Sequence, residues 1–485
     1  MLFKPLSRIR MGKRSLWKGI FAAAFAVALA APQHAGMEPI PLRGVVEGFY
    51  GTPWNQEARM DILSFCAAHG MNAYIYAPKD DPYHRAKWRE PYPARKLEEL
   101  KALAASANAQ GVRFIFAVSP GLDLHFDGAK AERDRECMKE KLTALYDAGV
   151  RDFAIFFDDI NEKDGKGQAD FLNWVAEHFI DEHPDIHPLI MVPTEYSYDN
   201  MVDEHGQRNV YTKDLSEHLR EDILVVYTGD RVVGDGLPDG DYQAGSALYR
   251  RPLGIWWNYP VTDYMESKLA LGPVEKLPAH SDVPAIFFNP MKYEHLSKIA
   301  LATGADYARE PEAYDSDASW RRQIDAQYGA LGTDMLRFAD QSQHMENSWA
   351  KCGRPDGPEL RAQMDAFWSA WKGNGDVNET SRALDRELAA LEESCKNLQE
   401  ELPENIRKEC LPQLRQMQRI AEADRIGLGL LQRLRAGESP DASEKKTFSK
   451  NCREVRKHDK EALISEKTAR AFLDELEAEI KLHVR

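Results

Sequence analysis

From Gly44 onward the chain alternates two textures. Amphipathic stretches end on a glycine and pass straight into short, continuous apolar runs, as in "AHGMNAYIYAP", "AQGVRFIFAVSP" and "DAGVRDFAIFFDD". Gly70, Gly111 and Gly149 stand where a helix C-terminus calls for a left-handed residue. The segments before them carry helical spacing, for example Leu97, Leu100 and Ala104, whereas the runs after them lack polar alternation. Continuous apolar runs are what strands buried on both faces of a parallel sheet require. The pattern predicts eight strands, at residues 44–49, 72–78, 112–120, 152–159, 188–194, 222–229, 252–258 and 284–290. Eight such strands with intervening helices over roughly 250 residues predict an α/β fold, a (β/α)8 TIM barrel, with its chemistry at the strand C-terminal ends. The alternative, a doubly wound open sheet, usually carries a glycine-rich phosphate turn after its first strand, and "GFYGTPW" is not one.

Past residue 310 the sequence becomes charged and helical. Leu384, Leu388, Leu391, Cys395, Leu398 and Leu402 follow a 4-3-4-3-4 spacing, and Leu473, Leu476 and Ile480 repeat it. This predicts a C-terminal α-helical bundle over residues 311–485 behind a barrel over residues 40–310, with "RAGESPDASEKK" as a polar loop between helices. Asn378-Glu379-Thr380 fits a glycosylation sequon and equally a helix start, which is the preferred reading.

The first 30 residues read as an address. Lys4, Arg8, Arg10, Lys13, Arg14 and Lys18 precede the apolar run "GIFAAAFAVALA", the layout of a secretory signal cleaved near Ala30. An uncleaved anchor is the alternative, but the run falls well short of the ~20 apolar residues a spanning helix needs. Export to a bacterial periplasm or the extracellular space is therefore expected. Cleavage would remove six basic residues and no acidic ones, taking the formal charge from −15 to −21. So acidic a chain is a poor partner for nucleic acid, which binds basic surfaces. Export would also permit disulfides among Cys352, Cys395, Cys410 and Cys452. Cys395 and Cys410 lie symmetrically about Leu402-Pro403, so a helical hairpin turning there would bring them together; buried thiols are the alternative.

The fourth apolar run, "DFAIFFDD", ends in two adjacent carboxylates, Asp158 and Asp159. Successive strand residues point to opposite faces, so both can reach one site only if the chain bends there. Helix capping and a structural ion cluster are the bland readings. At a barrel-strand terminus, catalysis is the preferred one. Adjacent carboxylates are poorly placed to straddle a sugar ring from opposite faces, as ordinary glycosidases do. A substrate whose own 2-acetamido group attacks the anomeric carbon removes that difficulty. One carboxylate would polarise the amide N–H while the other protonates the departing oxygen, its pKa pushed up by its neighbour.

"GVVEGFYGTPW", "YAPKDDPYHR", "SPGLDL", "FFDDI", "PTEY", "YTGDRVV", "WWNYPVTDY" and "FFNP" occur in this order, each at or beside a predicted strand end. Together they resemble the signature blocks of glycoside hydrolase family 84, the O-GlcNAcase and bacterial β-N-acetylglucosaminidase group. The resemblance implies that Asp158 orients and polarises the acetamido group and that Asp159 is general acid, then base. It implies that Tyr196 contacts the acetamide or oxazoline, and that Gly48, through its backbone, and Lys79 bind sugar hydroxyls. Asn258 would hold the acetamide end, Asp263 the far hydroxyls, Asn289 another sugar contact, and Trp256 an apolar wall. Tyr227 stands where relatives often carry tryptophan, which bears on the pocket floor or aglycone side.

Each residue also has a plainer reading. Lys79 could pair with Asp80 or Asp81, Asn289 could start a turn before Pro290, and Gly48 could serve a backbone bend. One of Trp256 and Trp257 must pack outward. His178, His183 and His187 sit in a helix-to-strand region and are not read as a metal site. The expected enzyme is a retaining exo-β-N-acetylglucosaminidase that needs no cofactor or metal and acts on GlcNAc-containing glycoconjugates or glycans. A hyaluronidase-like or chitooligosaccharide-cleaving activity and a catalytically silent sugar-binding protein are the rivals. The bundle could dock a partner or form a homodimer.

Overall fold

The computed structural model describes residues 38–373 and 375–483; the expected signal segment lies outside them. The eight apolar runs form β1 (Leu42–Glu47), β2 (Ala73–Tyr76), β3 (Arg113–Val118), β4 (Asp152–Phe156), β5 (Ile190–Val192), β6 (Leu224–Tyr227), β7 (Gly254–Trp257) and β8 (Ala285–Phe288). They pair in sequence order into one closed parallel barrel, with Leu42 of β1 in register with Ala285 of β8. Gly70, Gly111 and Gly149 are left-handed, with φ of 72°, 70° and 101°, and each ends a helix just before a strand. The hydrogen-bonded ladders are shorter than the apolar runs; β4 stops at Phe156, two residues before the carboxylate pair.

Strand parity divides the barrel into two cores. Ala73, Ile75, Ala117, Ala154, Phe156 and Phe287 face the barrel axis in a small inner cluster. Tyr74, Phe116, Phe153, Ile155, Phe157 and Phe288 face the surrounding helices in the larger outer core. Alanines are interleaved with Ile, Val, Phe and Trp256 along the axis, because the interior of an eight-stranded barrel is only wide enough for packed side chains. Gly44 is the tightest point: a Cβ there would lie 1.8 Å from the Ala73 carbonyl oxygen.

Beyond the barrel, Val377–Glu401 and Glu404–Arg435 form the hairpin predicted about Leu402-Pro403. Asp376 caps the first of these helices, so Asn378-Glu379-Thr380 is a helix start. The polar segment after Arg435 ends in an Asp441–Glu444 capping box that opens the next helix, Ala442–His458. All six cysteines are free; Cys395 and Cys410 are buried thiols. Between barrel and hairpin, Met345–Glu346 and Lys351–Cys352 form a short antiparallel ribbon inside the stretch read as helical.

The described residues form one compact unit. Helix Glu294–Arg309, which follows β8, lacks a side-chain cap of its own. Glu409 of the hairpin supplies it, accepting from His295 N at 3.2 Å and Leu296 N at 2.9 Å. A carboxylate on the first N–H groups satisfies orphan donors and the helix dipole together. Glu409→Ala should lower stability by about 1 kcal/mol, read from the urea midpoint at constant slope.

Asp424, fully buried in the helix Glu404–Arg435, has no partner among the described residues for either carboxylate oxygen. Burial drives its carboxyl far above the usual range; Arg470 opposes this, and Glu475 and Asp474 reinforce it. The folded state thus keeps a proton that the unfolded chain releases above pH ~4, so this residue's contribution falls as pH rises from there. Asp424→Asn should stabilise the protein by about 2 kcal/mol at pH 8 and by little at pH 4, measured by urea unfolding at both values.

Candidate active site

The C-terminal mouth of the barrel holds a cavity of about 330 Å³. Gly48, Lys79, Asp158, Asp159, Tyr196, Trp256, Asn258, Asp263 and Asn289 all line it. They come from the ends of β1, β2, β4, β5, β7 and β8 or the loops that follow. Asp158 continues the inward parity of Ala154 and Phe156. Asp159 would then face outward, but its φ of 56° turns the chain into the left-handed region. The bend brings the second carboxylate back to the mouth, where Oδ1 accepts from the Tyr196 hydroxyl at 2.6 Å and Oδ2 from the Tyr50 hydroxyl at 2.7 Å.

Lys79 pairs with Asp158 rather than with Asp80 or Asp81. Its ammonium forms a buried ion pair with Asp158 Oδ2, both side chains being nearly inaccessible. Asp158 Oδ1 is buried and has no donor among the described residues. Asp80 instead accepts from Gly51 N, and Asp81 accepts from the Tyr76 and Tyr92 hydroxyls, so the "KDD" triplet serves three separate structures.

The floor is a fixed amide network. Asn258 Oδ1 accepts from Trp256 Nε1 at 2.8 Å and Asn289 Nδ2 at 2.9 Å, and Asn258 Nδ2 donates to the Val232 carbonyl at 2.8 Å. With both oxygen lone pairs engaged, Asn258 keeps one N–H for a ligand. Asn289 Oδ1 in turn accepts from Gly48 N at 3.3 Å. Trp256 lies inside the barrel, edge-on to Phe156 at 5.5 Å, whereas Trp257 joins the outer core. Gly48 is glycine for space: a Cβ would sit 2.2 Å from the Trp256 ring. Asp263 Oδ2 accepts from Tyr50 N at 2.8 Å. Burial raises its carboxyl above the usual range, and the Asp159 charge adds to this.

The acid pair departs from one expectation. Burial pushes the Asp159 carboxyl up, but the Lys79 charge, the Tyr196 and Tyr50 hydroxyls and Arg85 outweigh it, so the net shift is downward. A resting carboxylate this well supplied with donors is held ionised. Tyr227 also differs from expectation. It is fully buried on the outer face of β6 against Gly245 and does not line the cavity.

The lining or adjoining residues that sequence reasoning misses include Tyr50, Arg85, Tyr264 and Trp349, together with an apolar group of Val192, Val232, Val233 and Val261. Arg85 donates to the Tyr50 hydroxyl oxygen at 3.1 Å and to the Asp159 carbonyl at 3.2 Å. Trp349 reaches the mouth from the ribbon, 5.2 Å from the Tyr264 ring, with half its surface exposed. Tyr50 and Arg85 lie within the quoted blocks, and a closer weighing of the aromatic and the cation there could have found them; nothing around Trp349 signals a site.

His178 and His183 bond through Nδ1 to the Trp174 and Phe179 carbonyls, and His187 pairs with Asp152. Among the described residues, Asp61, Glu294 and His295 have metal-ligand spacing. Lys298 already forms ion pairs with both of these carboxylates, supplying the countercharge there.

A barrel with paired carboxylates at its sugar-sized mouth is the layout of a glycoside hydrolase. Residues 43–340 match the beta-N-acetylglucosaminidase family, and residues 359–473 match a hyaluronidase post-catalytic domain-like family. The mouse Protein O-GlcNAcase is 33% identical over 243 residues, which cover 48% of this chain and 26% of that protein. The rat Protein O-GlcNAcase is 34% identical over 239 residues. The chain thus spans about a quarter of the length of the curated relatives it matches. The solved structure of CpGH84B superposes with a TM-score of 0.85 at 36% identity, covering 90% of this chain and 77% of that one. An O-GlcNAc hydrolase mutant of Thermobaculum terrenum superposes with a TM-score of 0.79 at 27% identity, covering 91% and 96%. The chain belongs to glycoside hydrolase family 84, the beta-N-acetylglucosaminidase family.

Gly48→Ala should push Trp256 from its place and cut kcat/KM on an aryl N-acetylglucosaminide at least tenfold, about 1.4 kcal/mol. Tryptophan fluorescence should change with it, while the far-ultraviolet circular dichroism stays native.

Proposed function

We propose that the chain is a retaining exo-β-N-acetylglucosaminidase that removes terminal β-linked GlcNAc with the help of the substrate's own acetamide. The observation that carries this reading is the division of labour at Asp158: Lys79 holds Oδ2, and Oδ1 is buried with no donor among the described residues. An acetamide N–H is the donor that this oxygen lacks. Hydrogen bonding to an anionic acceptor makes the amide oxygen more nucleophilic; that oxygen attacks the anomeric carbon as the glycosidic bond breaks, and the N–H proton passes to Asp158 as the oxazoline closes. Asp159 gives a proton to the departing oxygen, then takes one from the water that opens the ring, so configuration is retained. Asn258 and Tyr196 steady the acetamide, the Gly48 backbone, Asp263 and Asn289 take hydroxyls, and Trp256 forms the wall.

A cavity of about 330 Å³ lies at the small end for ligand sites and suits one hexosamine rather than a threaded polymer. That favours exo-hydrolysis over a hyaluronidase-like cut within a chain. We further propose that the mature protein acts outside the cytoplasm after loss of its basic, apolar N-terminal segment, as a barrel of residues 40–310 with a bundle of residues 311–485. A homodimer through the bundle would appear as a doubled mass in light scattering.

Asp159→Asn should impair substrates with poor leaving groups far more than those with activated ones, whereas Asp158→Asn should impair both by about a hundredfold or more. An analogue lacking the 2-acetamido group should not turn over. Hydrolysis of that analogue at the normal rate, or a trapped aspartyl ester, would defeat the mechanism. Binding without turnover by the wild type would point to a sugar-binding protein instead.

A further inference from the structure

Both oxygens of the Asp159 carboxylate are occupied by tyrosine hydroxyls, from Tyr196 at 2.6 Å and Tyr50 at 2.7 Å. Each oxygen keeps a second lone pair, so occupancy alone does not block transfer. A general acid must nevertheless place one oxygen within hydrogen-bond reach of the departing oxygen, which enters from the open lip and takes the place of the hydroxyl that stands there. The two tyrosines are not equally free. The main chain of Tyr196 is tied to β6, its carbonyl accepting from Thr228 N at 2.8 Å. Tyr50 is 41% exposed at the lip. Its backbone is fixed through Tyr50 N to Asp263 and Gly51 N to Asp80, so its side chain can rotate away while the loop stays in place. Arg85 holds it in the resting position, touching both its hydroxyl oxygen and the Asp159 carbonyl.

We propose that Tyr50 is a positioning residue that occupies the leaving-group side of Asp159 in the empty site and yields that place to the glycosidic oxygen when substrate enters. The inference rests on Asp159 being the general acid. In the empty site the carboxylate is ionised. When Tyr50 rotates out, the carboxylate takes a proton from solvent, and it passes this proton to the departing oxygen as the glycosidic bond breaks. The groups facing Asp159 are Tyr50 after β1, Lys79 and Arg85 after β2, its neighbour Asp158, Tyr196 after β5 and Asp263 after β7. Loss of the Tyr50 hydrogen bond removes one of the donors that favour the anion; Lys79 and Tyr196 remain.

The test compares wild type, Tyr50→Phe, Arg85→Met and Asp159→Asn on phenyl β-N-acetylglucosaminide, a substrate that needs the acid. The basic limb of kcat/KM reports the acid in the free enzyme, and the limb of kcat reports it in the complex. Asp159→Asn should abolish the limb. Tyr50→Phe and Arg85→Met should move the kcat/KM limb to higher pH by roughly half a unit to one unit. With Tyr50→Phe the kcat limb should stay in place, because Tyr50 has already left in the complex. The Asp159 carboxyl, followed by carbon-13 NMR in the free proteins, should titrate higher in Tyr50→Phe by the same shift, whether or not the protein turns over. An unmoved titration, or equal shifts in both limbs, overturns the role of Tyr50. A wild type that leaves the glycoside intact overturns the hydrolase reading instead, and the titration still judges Tyr50.

Discussion

The site depends on one backbone turn. A strand alternates its side chains between two faces, and in β4 that alternation would send the carboxylates of Asp158 and Asp159 to opposite sides of the barrel wall. The left-handed conformation at Asp159 cancels the alternation at the point where the ladder has ended. A non-glycine residue in that region costs about 1–2 kcal/mol, although aspartate tolerates it better than most. The surroundings over-determine it: Arg85 holds the carbonyl, two tyrosines hold the carboxylate, and Asp158 is tied to Lys79. Strain kept in place by independent contacts is how a site retains a geometry that its sequence would not adopt alone.

That arrangement also sets the electrostatics. Two adjacent carboxylates, considered alone, repel, and one should bind its proton more tightly. Here the repulsion is answered by Lys79 inside the barrel, Arg85 at the lip and two hydroxyl donors, so Asp159 shifts down. Adjacency in sequence therefore does not settle the sign of the shift. The Lys79 ion pair is buried, and a buried pair is retained less for stability than for fixing which groups face each other.

Much of this architecture is legible in the sequence. Continuous apolar runs and the glycines before them mark the barrel because both are local consequences of burial and of helix termination. The apolar runs overstate the strand ends: β7 stops at Trp257 and β8 at Phe288, and Asn258 and Asn289 lie one residue past them, in the mouth. The nine cavity residues stood out as an ordered set of blocks. Arg85 did not, because in "KDDPYHRAKWRE" a cation reads as part of a solvated charged segment. Tyr227 was weighed as a pocket residue on likeness alone, while the parity of β6 turns it outward against Gly245. Trp349 belongs to a ribbon of two-residue strands, too short to leave a periodic trace.

The position of Trp349 shows why the region after the barrel cannot be treated as a passive appendage. Asp356, almost fully buried, accepts from Gln343 N at 2.6 Å and His344 N at 2.8 Å, where the ribbon begins. Its other oxygen lies 3.7 Å from Lys268, a fully buried ammonium in the segment between β7 and β8, and its carbonyl accepts from Thr468 at 2.6 Å. One buried residue, through its carboxylate and its main-chain carbonyl, thus joins barrel, ribbon and the start of the last helix. Lys268 also lies 3.5 Å from Glu466, so the buried ammonium is shared by two carboxylates. Removing Lys268 would leave Asp356 buried without a countercharge, at a cost of several kcal/mol. These contacts hold the three elements in register, and that register carries the ribbon, with the Trp349 ring, to the lip of the cavity.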